Sequence, residues 1–245
     1  MNELAFDGSN PDVGLLVRIN DLAARSPHWV DRVVTFLGEY GLTAALLGLL
    51  VWCWWRVARR TAQDAPAAVA GAAWAGTAAV VAWLLSMPIR DVVQRPGPMD
   101  DQDGLYVLLR GTSKFSFVSG HSTLAMAIGV GLFLVHRKAG LLGIGLAVAQ
   151  GFARVWMGVN YPTDVIGGFA LGTATALLLA PLAQLGLVPL ARVLDRGRLR
   201  VLVRAVSPPT PVAVPADRSA TTQPDTGHTG PPSAAHHTCE NDLAA

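Results

Sequence analysis

Apolar residues in this chain gather into long runs separated by short polar clusters. Residues 67–87 carry no charge over 21 positions. As a helix rising about 1.5 Å per residue, such a run crosses a hydrocarbon core about 30 Å thick. Residues 36–55 form a similar run interrupted only by Glu39. Residues 119–135 hold one ionisable side chain, His121, residues 141–159 hold only Arg154, and residues 165–188 hold none. The pattern predicts an all-α fold, a polytopic membrane bundle of about five transmembrane helices. Ala70, Gly71, Ala72, Ala73, Gly76, Gly143, Gly145, Gly167, Gly168 and Gly172 crowd these runs. Small residues let helices approach closely in lipid, so the bundle is expected to be tightly packed.

Outside the runs the pattern changes. Residues 13–37 repeat apolar positions at helical spacing (Leu15, Leu16, Ile19, Leu22) among charges, which predicts an amphipathic helix lying at the membrane interface. The stretch before it opens with Glu3, Asp7 and Asp12 and lacks the basic start and apolar core of a signal peptide. Residues 206–245 are rich in Pro, Thr, Ala, Ser and Asp without apolar period and read as a disordered tail. The expected divisions are therefore 1–35 amphipathic, 36–190 transmembrane, 191–205 basic and 206–245 tail.

Composition sharpens the class. Hydrophobic residues make up 51% of the 245 and charged residues 15%, with a mean hydropathy of +0.39. A soluble domain needs more charge than that to cover its surface, which excludes a cytosolic enzyme. A net charge of +2 gives no ground for nucleic-acid binding. Cys53 and Cys239 lie in an apolar run and in the tail respectively, so no disulfide framework is implied. The charge distribution orients the chain. With the N-terminus outside, the inner segments up to Arg204 hold Arg56, Arg59, Arg60, Arg137, Lys138, Arg192, Arg196, Arg198, Arg200 and Arg204 against only Asp64 and Asp195. An excess of Lys and Arg marks the cytoplasmic side, and the count is ten inside against eight outside, or ten against five with Arg90, Arg95 and Arg154 set aside for chemistry. The expected location is a multi-pass protein of the cell membrane with the N-terminus outside and the tail cytoplasmic. The basic segment 191–205 reads as topology plus attraction to anionic lipid.

The polar residues that remain gather at one end of the bundle. Arg90 and Arg95 follow the second run, Ser119, Gly120 and His121 open the third, and Arg154, Asn160 and Asp164 lie around the junction of the fourth and fifth. Singly each has an ordinary reading: a snorkelling arginine, a helix cap, a packed histidine. Together, several arginines beside a helix N-terminus make a phosphate site.

These residues resemble the type 2 phosphatidic acid phosphatase superfamily, which includes lipid phosphate phosphatases and undecaprenyl pyrophosphate phosphatases and shares its core with the vanadium haloperoxidases. The family carries K-x6-R-P, P-S-G-H and S-R-x5-H-x3-D. Here the third motif runs from Ala153-Arg154 to Asn160-Tyr161-Pro162-Thr163-Asp164. The second reads Val118-Ser119-Gly120-His121, and the first starts at Arg90 and ends at Gly97-Pro98. The resemblance implies a metal-independent phosphohydrolase without cofactor, acting on a lipid phosphate or polyprenyl diphosphate at the outer membrane face. It implies that Arg90, Arg154 and the Ser119 and Gly120 backbone bind phosphoryl oxygens and that His121 protonates the leaving oxygen. It also implies that Asp164 orients the nucleophile.

Two departures bear on chemistry. The nucleophilic histidine is Asn160, whose carboxamide nitrogen has its lone pair delocalised and cannot attack phosphorus. Asn160 is expected instead to hydrogen-bond Asp164 and a phosphate oxygen. The motif-one arginine is Gly97, and Arg95 is expected to compensate by binding phosphate. Other histidines offer no substitute. His136 falls at the opposite face, His28 in the N-terminal segment, and His228, His236 and His237 in the tail. His236, His237 and Cys239 form only a weak metal-ligand pattern, and no metal is expected. Three functions follow: a lipid phosphatase, a degenerate member that binds lipid phosphate or a membrane partner without turnover, and a small transporter. The last is disfavoured by the lack of an internal repeat.

Overall fold

The computed structural model describes residues 11–58, 65–101, 105–106, 108 and 115–196. All of these fall in one compact unit. The expected tail, most of the basic segment and the tail histidines lie outside the described residues. Among the described residues the secondary structure is helical, with one isolated bridge between Pro96 and Phe115. The helices are α1 (Pro11–Ala24), α2 (His28–Phe36), α3 (Leu42–Trp52), α4 (Ala65–Val93), α5 (Pro98–Asp101), α6 (Gly120–Val135), α7 (Arg137–Trp156), α8 (Pro162–Leu178) and α9 (Ala180–Arg196).

Three stretches are long and apolar enough to cross a membrane: His28–Trp55, Val69–Val93 and Arg137–Trp156. The pair Pro162–Leu178 and Ala180–Ala191, bent by 51° between its halves, is long and apolar enough for a fourth when the two are taken as one span, and α6 is a shorter apolar helix. The expected fifth run is thus broken. Pro181, in the first turn of α9, has no N–H for the preceding turn, and its ring crowds that turn's carbonyl.

The predicted amphipathic helix 13–37 is two helices. Pro27 precedes α2 in an extended conformation, and the Ser26 hydroxyl donates back to the Leu22 carbonyl, closing α1. Residues 28–36 therefore open the first spanning helix. That helix passes from α2 into α3 through a π turn, Leu37–Gly41. The wide turn is held from outside: Gln150, buried on α7, donates its amide N–H to the Gly38 carbonyl. Helix α1 packs against the bundle. Leu16 is fully buried with Val155, Tyr161 and Val165 at the ends of α7 and α8, while Leu15 and Leu22 face outward.

Helix α6 is the axis of the bundle, contacting α4, α7 and α8. Small residues permit this. A Cβ on Gly129 would stand 2.8 Å from the backbone of Ile144, and one on Gly172 would stand 2.4 Å from the Thr123 carbonyl oxygen. Ala75, Ala78, Ala82, Ala125, Ala147 and Ala176 fill the seam around Leu46, Ile128 and Leu132. Trp74 spans it, donating its indole N–H to the Ala176 carbonyl at 3.1 Å. With three helices fixed on α6, the ends of α4, α7 and α8 converge on its N-terminus.

Candidate functional site

Helix α4 runs on through Pro88 to Val93 and so carries Arg90 on a helix rather than on a loop. Its Nη2 donates to the Val118 carbonyl at 3.2 Å. The guanidinium lies against the first residue of α6: a Cβ on Gly120 would come within 3.1 Å of Nη2. The Arg90 Nε is buried without a hydrogen-bond partner. Ser119 precedes α6, yet its hydroxyl does not cap that helix. It donates across to the Asn160 Oδ1 at 3.4 Å and accepts from the Ser122 hydroxyl at 3.0 Å. His121, in the first turn of α6, lies within electrostatic reach of Arg154, Glu39 and Arg90.

Arg154, in the last turn of α7, is 8% exposed and held on two sides. Its Nε donates to the Asn160 Oδ1 at 3.2 Å, and its Nη1 meets the Glu39 Oε2 at 2.9 Å. Glu39 sits on the π turn, and the sequence reading placed no role on it. Its signal was there: one acid in an otherwise apolar spanning run, a position where charge is costly unless paired. Asn160 completes its bonding with Nδ2 to the Ser116 carbonyl at 3.0 Å. Arg90, Ser119, Gly120, His121, Asn160 and Arg154 are thereby one cluster, joined by Glu39.

Arg95 and Asp164 form a second cluster behind the first. The expected Asn160–Asp164 hydrogen bond is not made. Asp164, fully buried at the start of α8, accepts from the Tyr161 backbone N–H at 2.9 Å and from the Arg95 Nη1 at 3.0 Å. Arg95 does not reach the phosphate cluster as expected of it. It donates to the Asp12 Oδ2 and to the Thr163 hydroxyl, each at 2.7 Å, and its guanidinium stacks 4.0 Å over the Tyr161 ring. Asp12, on α1, also accepts the Thr163 backbone N–H at 3.0 Å. Burial works to lower the Arg95 pKa. The hydrogen bond to Asp12 and the charges of Asp164 and Asp12 outweigh it, so Arg95 titrates above the ordinary arginine range. The clusters touch where the Ser119 backbone N–H donates to the Asp164 carbonyl at 3.1 Å, so that N–H is not free for a phosphate as expected. No pattern in the sequence pointed to Asp12, because nothing local ties α1 to α8.

Gly97 takes no part in the cluster. Its carbonyl accepts from the Asp100 and Asp101 N–H groups at the start of α5, and the space beside its Cα is open up to the Asp100 Oδ2 at 3.9 Å. His136 begins α7 at the far end of the bundle, its Nδ1 accepting from the Ala139 N–H. Among the described residues no three His, Cys, Asp or Glu side chains could share a metal ion.

Beside Glu39 opens a groove of about 500 Å³ lined by His28, Asp31, Arg32, Thr35, Tyr40 and Tyr106, among others. Asn20 fixes its far wall by reciprocal hydrogen bonds of 2.7 Å with the Tyr106 N–H and carbonyl. The Tyr106 hydroxyl donates to the Asp31 Oδ2 at 3.3 Å. Withdrawal from water and the Asp31 charge raise the phenol's pKa, keeping it a donor.

Comparison with known proteins identifies a family. The PAP2 superfamily model matches residues 68–185, which covers all of the cluster except Glu39. The "Bacitracin transport permease protein BcrC" of Bacillus licheniformis is 35% identical over 159 residues, 65% of this chain and 74% of that one. The "Undecaprenyl-diphosphatase BcrC" of Bacillus subtilis is 26% identical over 61% of this chain and 72% of its own. Among solved structures, Aquifex aeolicus LpxE superposes with a TM-score of 0.53 at 20% identity, covering 71% of this chain and 98% of that one.

Proposed function

Because the chain belongs to the PAP2 superfamily, whose relatives include membrane lipid phosphatases, we propose that it is a membrane protein that holds a lipid phosphate in the cluster of Arg90, Arg154 and the α6 N-terminus, with phosphoryl transfer slow or lost. Arg154 and Arg90 bind the phosphoryl oxygens, and the N–H groups at the start of α6 add to the cradle. His121 stands where a proton reaches the leaving oxygen. The observation that carries the reading is the bonding of Asn160. Its carboxamide oxygen is committed to Arg154 and Ser119 and its nitrogen to the Ser116 carbonyl, while the carboxylate that would aim an imidazole is committed to Arg95. The cluster offers oxygen-binding groups and a proton donor but no nucleophile at that position. The excess of Lys and Arg on the other side of the membrane favours an outward-facing site. The test is phosphate release by the purified protein in detergent over phosphatidic acid, phosphatidylglycerophosphate and undecaprenyl diphosphate, with Asn160→His alongside. Little release by the native protein and a gain in the variant are expected. Rapid native release that the variant slows would overturn the reading.

A further inference from the structure

The charge of the cradle and the groove beside it narrow the ligand. The family motif implies three cations around the phosphate. Here Gly97 supplies none, and Arg95 is offset by Asp12 and Asp164. Two guanidiniums remain, Arg90 and Arg154, and Glu39 sets a carboxylate 2.9 Å from the second. Counted over these three described side chains, two guanidiniums and one carboxylate, the cradle carries one net positive charge. The groove that Glu39 also lines adds Asp31 and Arg32, which cancel. A phosphomonoester carries about −1.5 to −2 at pH 7, and a terminal diphosphate carries more. A phosphodiester carries one negative charge and, unlike a monoester, a substituent on its far side.

The groove has room and chemistry for that substituent. Its wall holds one unsatisfied acceptor: Asp31 is 4% exposed, its Oδ2 accepts from Tyr106, and its Oδ1 is buried with no hydrogen-bond partner among the described residues. A buried carboxylate oxygen left unpaired is costly, and a hydroxyl or ammonium donor would relieve it. Glu39 joins groove and cradle. Its place is built in by the π turn and by Gln150 bonded to the Gly38 carbonyl, a local widening of the helix that recurs at functional sites. A Cβ on Gly38 would meet Ala153 and Met157 at 2.9 Å each, so the turn is seated close against the same helix that carries Arg154.

We propose that the cradle and the groove together bind a singly charged phosphodiester lipid headgroup, Glu39 rejecting dianionic monoesters and the Asp31 groove taking a hydrogen-bond-donating substituent beyond the phosphate. The inference rests on the cradle reading above and adds the ligand class to it. Glu39 acts here through Arg154 and through charge, as a specificity-determining residue.

The test is equilibrium binding of three dihexanoyl lipids to the full chain in detergent: phosphatidic acid, phosphatidylmethanol and phosphatidylglycerol. The native protein should bind phosphatidylmethanol about fivefold more tightly than phosphatidic acid, the worth of one partly exposed charge pair. Phosphatidylglycerol should bind more tightly still. Glu39→Gln should erase the discrimination against phosphatidic acid, and Asp31→Asn should weaken phosphatidylglycerol alone. Phosphatidic acid binding as tightly as phosphatidylmethanol to the native protein would overturn the inference while leaving the cradle standing. That ranking needs no variant and decides the matter even if Glu39→Gln does not fold. Binding of none of the three would overturn the cradle itself.

Discussion

Arg154 and Arg95 are the same residue type at the same end of the bundle, and they have opposite surroundings. Arg95 is saturated: two carboxylates, a threonine hydroxyl and the face of Tyr161 surround its guanidinium, and through Asp12 it ties α1 to the start of α8. Arg154 has one carboxylate partner and one amide, and that carboxylate, on Glu39, stays 24% exposed beside an open groove. A guanidinium already matched by two acids has little left for an incoming anion. One matched by a single accessible acid can exchange it. Sequence position gave the two arginines equal claims to phosphate, whereas their partners commit Arg95 to structure and leave Arg154 as the one proposed to meet a ligand.

The largest effect should fall on the saturated side. Arg95→Ala leaves Asp164 buried without its counter-ion, and breaking a buried pair in this way costs about 3–5 kcal/mol. A large drop in thermal midpoint in detergent is expected. A drop no larger than that of an exposed substitution would dissolve the contrast between the two arginines.

Next comes the nucleophile. Asn160→His should raise phosphate release from phosphatidic acid by about a hundredfold or more, since the residues of such a site act as a unit. The gain should stop short of full activity, because Arg95 competes for Asp164. Adding Gly97→Arg, into space that is open up to Asp100, should raise it further. A steady-state phosphate assay measures both.

On the Arg154 side the expected effect is on ligand rather than fold. Phosphatidylmethanol at a hundred times its Kd should stabilise the native protein by about 2.7 kcal/mol, and Arg154→Ala should remove that shift. A shift that survives would return Arg154 to a snorkelling role.

The smallest effect belongs to the rim of the brace. Asp12→Asn should cost about 1 kcal/mol or less, the usual worth of a partly exposed ion pair, and leave lipid binding unchanged. Loss of binding in this variant would mean that α1 shapes the cradle directly.

How far these roles could be read from the sequence depended on range. The runs that become α4 and α7 were visible because lipid demands about 20 apolar residues per crossing, and the shorter run of α6 was visible by its lack of charge. Their ends carried Arg90, Ser119, Gly120, His121, Arg154 and Asn160 together, as the motifs implied. What was not visible were contacts between elements far apart in the chain. Glu39 meets Arg154 across 115 positions, and Asp12 meets Arg95 across 83. The broken amphipathic helix was legible in part. Pro27 marks the break, but helical periodicity continues through it, and the packing of Leu16 under α7 and α8 together with the bonds of Asp12 shows that α1 belongs to the bundle. The bend before α9 was missed because an uninterrupted apolar run hides a proline that does not change its hydropathy.

The measurement that bears most directly on the division of labour is binding of dihexanoyl phosphatidylmethanol to Arg154→Ala and Asp12→Asn beside the native protein, with phosphate release from phosphatidic acid followed in parallel samples. The account predicts saturable binding without appreciable release for the native chain, the same for Asp12→Asn, and no binding for Arg154→Ala. Binding that Arg154→Ala retains and Asp12→Asn loses would contradict it.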